Sequence, residues 1–231
     1  MLRIETNDKS YEVCREWEDI SLSKMIDLNR LISSYPNRLK DLYKGEDVEL
    51  EEEYFEDFDN FRIKVVSLLS NIPQSVIEKT EKAELIALYN VLLSRFVAGC
   101  ITFPDYRIEG ISEFMHKGET YYLPECETDI TGNPMPGVNI SALEFTETTD
   151  LVNAGNEIEN GQFGFAANVI SILCRKKNEA YNEQACKERA KEFQDLGMNI
   201  VLEVFFCLDQ CTTILSQNTR ISTLRGNLQK K

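Results

Sequence analysis

With 231 residues, 42% of them hydrophobic, the chain is long enough to bury a core as one domain, or as one domain with an excursion, without help from disulfides. Its 25 Lys and Arg against 39 Asp and Glu give a formal charge of −14, which argues against nucleic-acid or anionic-membrane binding through the general surface. Nothing at Met1–Ile4 resembles a signal peptide and no apolar run reaches bilayer length, so the expectation is a soluble chain made and kept in a cytoplasm.

In chain order, Leu2, Ile4 and Thr6 alternate with charged residues, Asn7-Asp8 reads as a turn, and Tyr11 and Val13 resume the alternation, which predicts a β-hairpin. Trp17, the only tryptophan, comes next as a hinge plug. Ser21 is the predicted N-cap of a helix carrying Leu22, Met25, Ile26, Leu28, Leu31 and Ile32, covered by the hairpin. Pro36 ends that region, and a short helix fits Arg38 to Tyr43 before Gly45. From Glu46 to Asp59, nine of fourteen positions are acidic and none is Lys or Arg. One reading is a solvated loop leading into a helix whose first turn favours negative charge. The other is a contact for a basic partner or the lining of a channel, and it makes Glu46, Asp47, Glu51, Glu52 and Glu53 candidate interaction residues. Phe55, Phe58, Phe61, Val65, Leu68, Leu69 and Ile72 fit a helix from Tyr54 that ends at Pro73, with Gln74 to Glu81 as a connector.

Ala83 to Phe103 is the most apolar helical pattern, with Leu85, Leu88, Tyr89, Leu92, Phe96 and Val97 on one face, and reads as the central core helix. Asp105 to Met115 is mixed. Lys117-Gly118 then reads as a turn before a strand at Glu119–Pro124, and the Gly- and Pro-rich Thr128 to Val138 reads as loop. Such an excursion is where a helical core would carry an interaction element. Ser141 to Val152 returns to helix, and Gly155 to Gly161 is linker. Phe165, Val169, Ile172 and Leu173 form a further helix with Arg175-Lys176-Lys177 as a cationic last turn. Asn182 to Asp195 is a short charged helix. After the Leu196-Gly197 break, Ile200, Val201, Val204, Phe205, Leu208, Cys211 and Leu215 make a stripe expected to bury against Ala83–Val97. The tail from Gln217 has Arg220, Arg225, Lys230 and Lys231 and no acid, so it either docks on a neighbouring subunit's acidic surface or stays disordered.

The predicted class is mainly α (α+β), a helical core with an N-terminal β-hairpin and a short β/loop excursion near 117–140. Along the chain this gives 1–45 as hairpin plus helix, 46–115 as acidic segment and core helices, 116–140 as the excursion, 141–216 as C-terminal helices and 217–231 as basic tail. The seven cysteines are odd in number and lack a CxxC, so they read as reduced core thiols. Cys207 and Cys211 lie four apart, but a zinc site wants further ligands and the only histidine, His116, is distant in sequence. No metal or cofactor is expected. There is no GxGxxG, Walker A, GxSxG or HExxH pattern, and any histidine-dependent triad would have to use His116, so no catalysis is expected.

Three stretches carry a resemblance. Trp17-Glu18-Asp19-Ile20-Ser21-Leu22 after the hairpin resembles the Tyr…Trp-Glu-Glu-Val-Thr-Leu opening of small proteins encoded among the tail genes of tailed phages. Lys117-Gly118-Glu119-Thr120-Tyr121-Tyr122-Leu123-Pro124, with Asp129 and Gly132, is similar to their strand and loop. Leu173-Cys174-Arg175, Tyr181, Glu188-Arg189-Ala190, Phe193, Leu196, Met198 and Phe205-Phe206 are similar to their terminal block. These are tail and neck proteins of tailed bacteriophages of Bacteroidetes hosts, including crAss-like phages. The resemblance implies a virion ring subunit of tail or neck, made in the host cytoplasm, which contacts copies of itself (a dodecamer is admissible) and other tail or portal-proximal proteins. It equally admits a tail assembly chaperone absent from the mature virion. A non-catalytic soluble adaptor is the remaining alternative.

Overall fold

The computed structural model describes residues 2–6, 9–35, 52–101, 113–123, 127–128, 134–135, 142–155 and 163–205. The fold is mainly α with small antiparallel hairpins, as expected. The chain divides into two compact units interleaved in sequence, Met1–Asp105 with Asn153–Ala166 and Gln194–Met198, and Tyr106–Val152 with Ala167–Phe193 and Asn199–Lys231.

In the first unit, β1 (Leu2–Thr6) pairs antiparallel with β2 (Lys9–Val13) in the register Leu2↔Val13 to Thr6↔Lys9. The sequence reading laid this hairpin over the next helix; β2 instead packs chiefly on α2, where the Cys14 N–H donates to the Leu69 carbonyl at 3.0 Å. Trp17 opens a 3₁₀ turn, Trp17–Asp19, closed by the Asp19 carboxylate, which accepts from the Arg15 and Glu16 N–H groups. Ser21 caps α1 (Leu22–Ser33), its hydroxyl accepting from the Lys24 N–H at 3.3 Å. Leu22, Met25, Ile26, Leu28 and Ile32 are buried as predicted, and Leu31 is half-buried. The Leu196-Gly197 break has a partner here. Ser21 and Gly197 form a β-bridge, Leu22 N–H donates to Leu196 O and Met198 N–H to Ile20 O.

The next helix, α2 (Glu52–Ser70), starts two residues before the expected Tyr54 and so takes acidic residues into its first turn. It stops at Asn71, which takes a left-handed φ of 56°. The Ser70 hydroxyl donates to Val66 O and accepts from the Ile72 N–H. The supposed connector holds a one-turn helix, α3 (Gln74–Ile77), started by Pro73 and anchored by buried Ile77. The predicted core helix is real but not uniform. It runs as α4 (Lys82–Leu88), a π-helical turn (Tyr89–Leu93) and α5 (Ser94–Ile101), and its arms bend by 53°. Ser94 N–H reaches back five residues to Tyr89 O, while the Ser94 hydroxyl donates to Asn90 O. Leu85, Tyr89, Phe96 and Val97 are buried as expected, Leu93 and Cys100 join them and Leu88 is half-buried; the Leu92 side chain lies outside the description. No single described helix is long and apolar enough to cross a membrane; only the two bent arms taken together reach that threshold.

Trp17 stands edge-on to Phe96 at 4.9 Å, with its ring over Gly99. A Cβ at position 99 would lie 2.5 Å from the ring's Cη2 atom, so Gly99 is there for close approach. Gly99→Ala is expected to lower stability by about 1–3 kcal/mol through overpacking, visible as a reduced urea midpoint with unchanged slope. An unshifted midpoint would show that the ring moves aside freely.

In the second unit, β3 (Glu113–His116) and β4 (Glu119–Tyr122) form a hairpin, and β5 (Glu127–Thr128) pairs briefly with β6 (Pro134–Met135). The first strand lies in a stretch expected to be mixed, and the small second pair in one expected to be loop. Among the described residues four α-helices follow, lying mostly in this unit: α6 (Ala142–Gly155), α7 (Ala166–Leu173), α8 (Glu183–Glu192), which runs on into a 3₁₀ turn at Phe193–Asp195, and α9 over 198–205. The expected short charged helix is α8, and Asn182 caps it, accepting from the Ala185 N–H at 2.9 Å. In α9, Val201 and Val204 are buried and Ile200 and Phe205 half-buried; the rest of that stripe, 206–215, lies outside the described residues. The expected helix at 38–43 lies outside them too.

Candidate interaction site

The β3–β4 hairpin turns through Lys117 and Gly118, both at positive φ (48° and 82°), the combination a tight two-residue turn requires. Pairing of Phe114 with Tyr121 and of His116 with Glu119 sets one face inward. There Phe114, Tyr121 and Phe193 form a three-ring cluster with centroids 5.0–5.9 Å apart, Phe193 being fully buried. His116 joins it edge-on to Phe193 at 5.6 Å and donates from Nε2 to the Glu192 carbonyl at 3.1 Å, at the C-terminal end of α8. Because a carbonyl only accepts, that contact fixes the proton on Nε2. The single imidazole therefore serves as a helix-end donor and packing ring.

The segment from Cys174 to Asn182 holds the hairpin from the side. The cationic run Arg175-Lys176-Lys177 is not a last helical turn: α7 stops at Leu173, and Arg175 forms a β-bridge with Tyr122, whose N–H donates to the Arg175 carbonyl at 2.9 Å. Its guanidinium pairs at 2.8 Å with the buried Glu144 carboxylate on α6. Lys176 pairs with Glu119 at 3.3 Å and lies 5.9 Å from the Tyr121 ring. The cation that serves the end of α7 is Arg189, buried on α8. It donates from Nη1 to the carbonyls of Ser171 and Cys174, each at 3.0 Å, pairs through Nη2 with Glu179, and stacks 5.5 Å from the Tyr121 ring. Tyr181 donates to Glu147, and this hydrogen bond to a carboxylate, with burial second, pushes the phenol pKa well up.

Among the described residues no group of three His, Cys, Asp or Glu side chains could hold a metal ion. Cys14, Cys100, Cys174 and Cys186 are buried and form no disulfide among the described residues. Burial raises each thiol pKa, that of Cys174 to about 12 despite the lowering influence of Arg189. Native Cys174 is thus expected to label with a thiol reagent at least a hundredfold more slowly than unfolded chain, and chelators to leave folding intact. Rapid labelling of the native protein would contradict the burial. Cys207 lies outside the described residues.

Of the interaction residues expected from sequence, Glu46, Asp47, Glu51, Arg220, Arg225, Lys230 and Lys231 lie outside the described residues. Glu52 and Glu53 open α2, with their side chains outside the description. At the end of the acidic block, Asp59 is engaged within its own unit, by Arg62 at 2.9 Å and by Lys82. Arg62 in turn lies over Phe58, its guanidinium 3.9 Å from the ring centre. Sequence reasoning missed Arg189 and Glu144, because their partners are non-local.

Compared with protein-family models, curated proteins and solved structures, the chain matches none.

Proposed function

We propose that the protein is a virion structural subunit that closes into a homo-oligomeric ring in a bacteriophage tail or neck and works through subunit contacts rather than catalysis. The observation that carries this reading is the β3–β4 hairpin. Its inner face rests on a buried aromatic cluster and its flank on the Arg175 bridge, while its outer face keeps Met115 72% exposed. A platform built this rigidly loses little entropy on docking, which suits an assembly surface. Two further observations agree. The resembling stretch Trp17–Leu22 forms the turn and cap that start α1, and the stretch from Leu173 to Phe193 forms the clamp around Arg189, so the resemblance falls on structural elements. The described thiols and the lone imidazole are committed to packing and hydrogen bonding. Partners are copies of the chain and adjacent tail or portal-proximal proteins, and no cofactor is called for.

The test is quantitative mass spectrometry of purified particles from a culture expressing this chain. Peptides at a stoichiometry of several copies per particle are expected. Their absence from particles, with abundance in the infected-cell lysate, would replace the ring with a transient assembly chaperone.

A further inference from the structure

Among the described residues three large apolar side chains are exposed, and two of them, Met115 and Tyr122, share the outer face of the β3–β4 hairpin. Met115 pairs with Thr120 and Tyr122 with Glu113, so the two are diagonal neighbours within side-chain reach. Methionine and tyrosine are side-chain types that binding surfaces favour. Lysine borders this face. Lys117 is exposed at the tip and Lys177 on the segment bridged to Tyr122, whereas Lys176 pairs with Glu119 on the opposite face; Glu113 is the one acid on the outer face itself. In a chain of net charge −14 that grouping stands out, and the densest opposite charge in the sequence is the acidic block ending at Asp59. Asp59 is held by Arg62 and Lys82, whereas Asp57, one residue pair earlier on α2, is exposed.

We infer that the outer face of this hairpin docks the acidic first turns of α2, Glu52 to Asp57, from a second copy of the chain. This rests on the ring reading and names its contact. Met115 and Tyr122 supply the apolar centre and the lysines the rim, an arrangement in which rim charges select the partner and steer it. Two different surfaces meet, so the contact is heterologous and each copy keeps one of each free for the next, as a closed ring demands. It assigns the acidic block a described partner, in place of the basic tail at 217–231.

Sedimentation velocity on the full chain tests it, with a photoreactive benzoylphenylalanine at position 115 as a second readout. The double variant Lys117→Glu, Lys177→Glu should self-associate about tenfold more weakly or worse, with an unchanged urea midpoint, and Asp57→Lys added to it should restore part of the loss. The photoprobe should capture peptides containing Glu52–Asp57 from another copy. The inference is overturned if the double variant assembles like the parent, if the probe captures other peptides, or if deleting 217–231 dissolves the assembly while the double variant leaves it whole; the ring reading survives each of these. A parent chain that is monomeric throughout overturns both.

Discussion

Replacing Arg189 by methionine is expected to destabilise the protein by about 3–5 kcal/mol, the range for removing one partner of a buried charged cluster. The side chain is 7% exposed, and its guanidinium satisfies two carbonyls at the end of α7 together with the Glu179 carboxylate. Methionine keeps much of the volume but donates nothing, so two main-chain carbonyls lose a donor at once and Glu179 loses its cation, keeping the Lys176 N–H. Glu179 is partly exposed and can turn to water, which places the effect towards the lower end of the range. The double variant Arg189→Met, Glu179→Leu should recover part of the loss, because it also removes the stranded carboxylate. Urea titration of the single and double variants gives both numbers. A loss below about 1 kcal/mol for the single variant would mean that water replaces the guanidinium without penalty.

Phe193→Ala is expected to cost about 3–5 kcal/mol as a large-to-small change at a fully buried aromatic. Its effect should be uneven. Phe193 is the common neighbour of Phe114, Tyr121 and His116, so its loss takes the floor from under the β3–β4 hairpin while the first unit keeps its own core. Amide exchange at Phe114 and Tyr121 should rise by about a hundredfold or more, whereas amides of α1 should track global stability alone. Met115→Ala on the exposed face is the control and should change stability by less than about 0.5 kcal/mol. Equal sensitivity at positions 115 and 193 would contradict the two-faced hairpin.

What the sequence made legible was local. The N-terminal hairpin, the Ser21 cap and the Lys117-Gly118 turn depend on residues a few positions apart, and the structure has them where the patterns put them. The central helix was legible as a helix but not in every buried position. A π-helical turn keeps the apolar composition but alters the local spacing, and Leu93 and Cys100 are buried without having been singled out while Leu88 is only half-buried. Arg175-Lys176-Lys177 misled for a related reason. Cations after an apolar helical run look like a helix end, yet here the run reaches across to β4 and α6, and the helix-end duty falls to a residue beyond the next turn. Glu203 was passed over within an apolar stripe; it is buried on α9, with Oε2 lacking a hydrogen-bond partner among the described residues. The excursion was legible as a place for an interaction element, but its aromatic floor was not, since Phe193 comes to Phe114 and Tyr121 only through the fold.

Native mass spectrometry of the purified chain at low ionic strength, repeated at raised salt, tests the central claim most directly. Ring closure through charged contacts predicts one discrete oligomer of many copies, with no ladder of open intermediates, that loses subunits as salt screens the contact. A monomer at every protein concentration and salt would contradict the account.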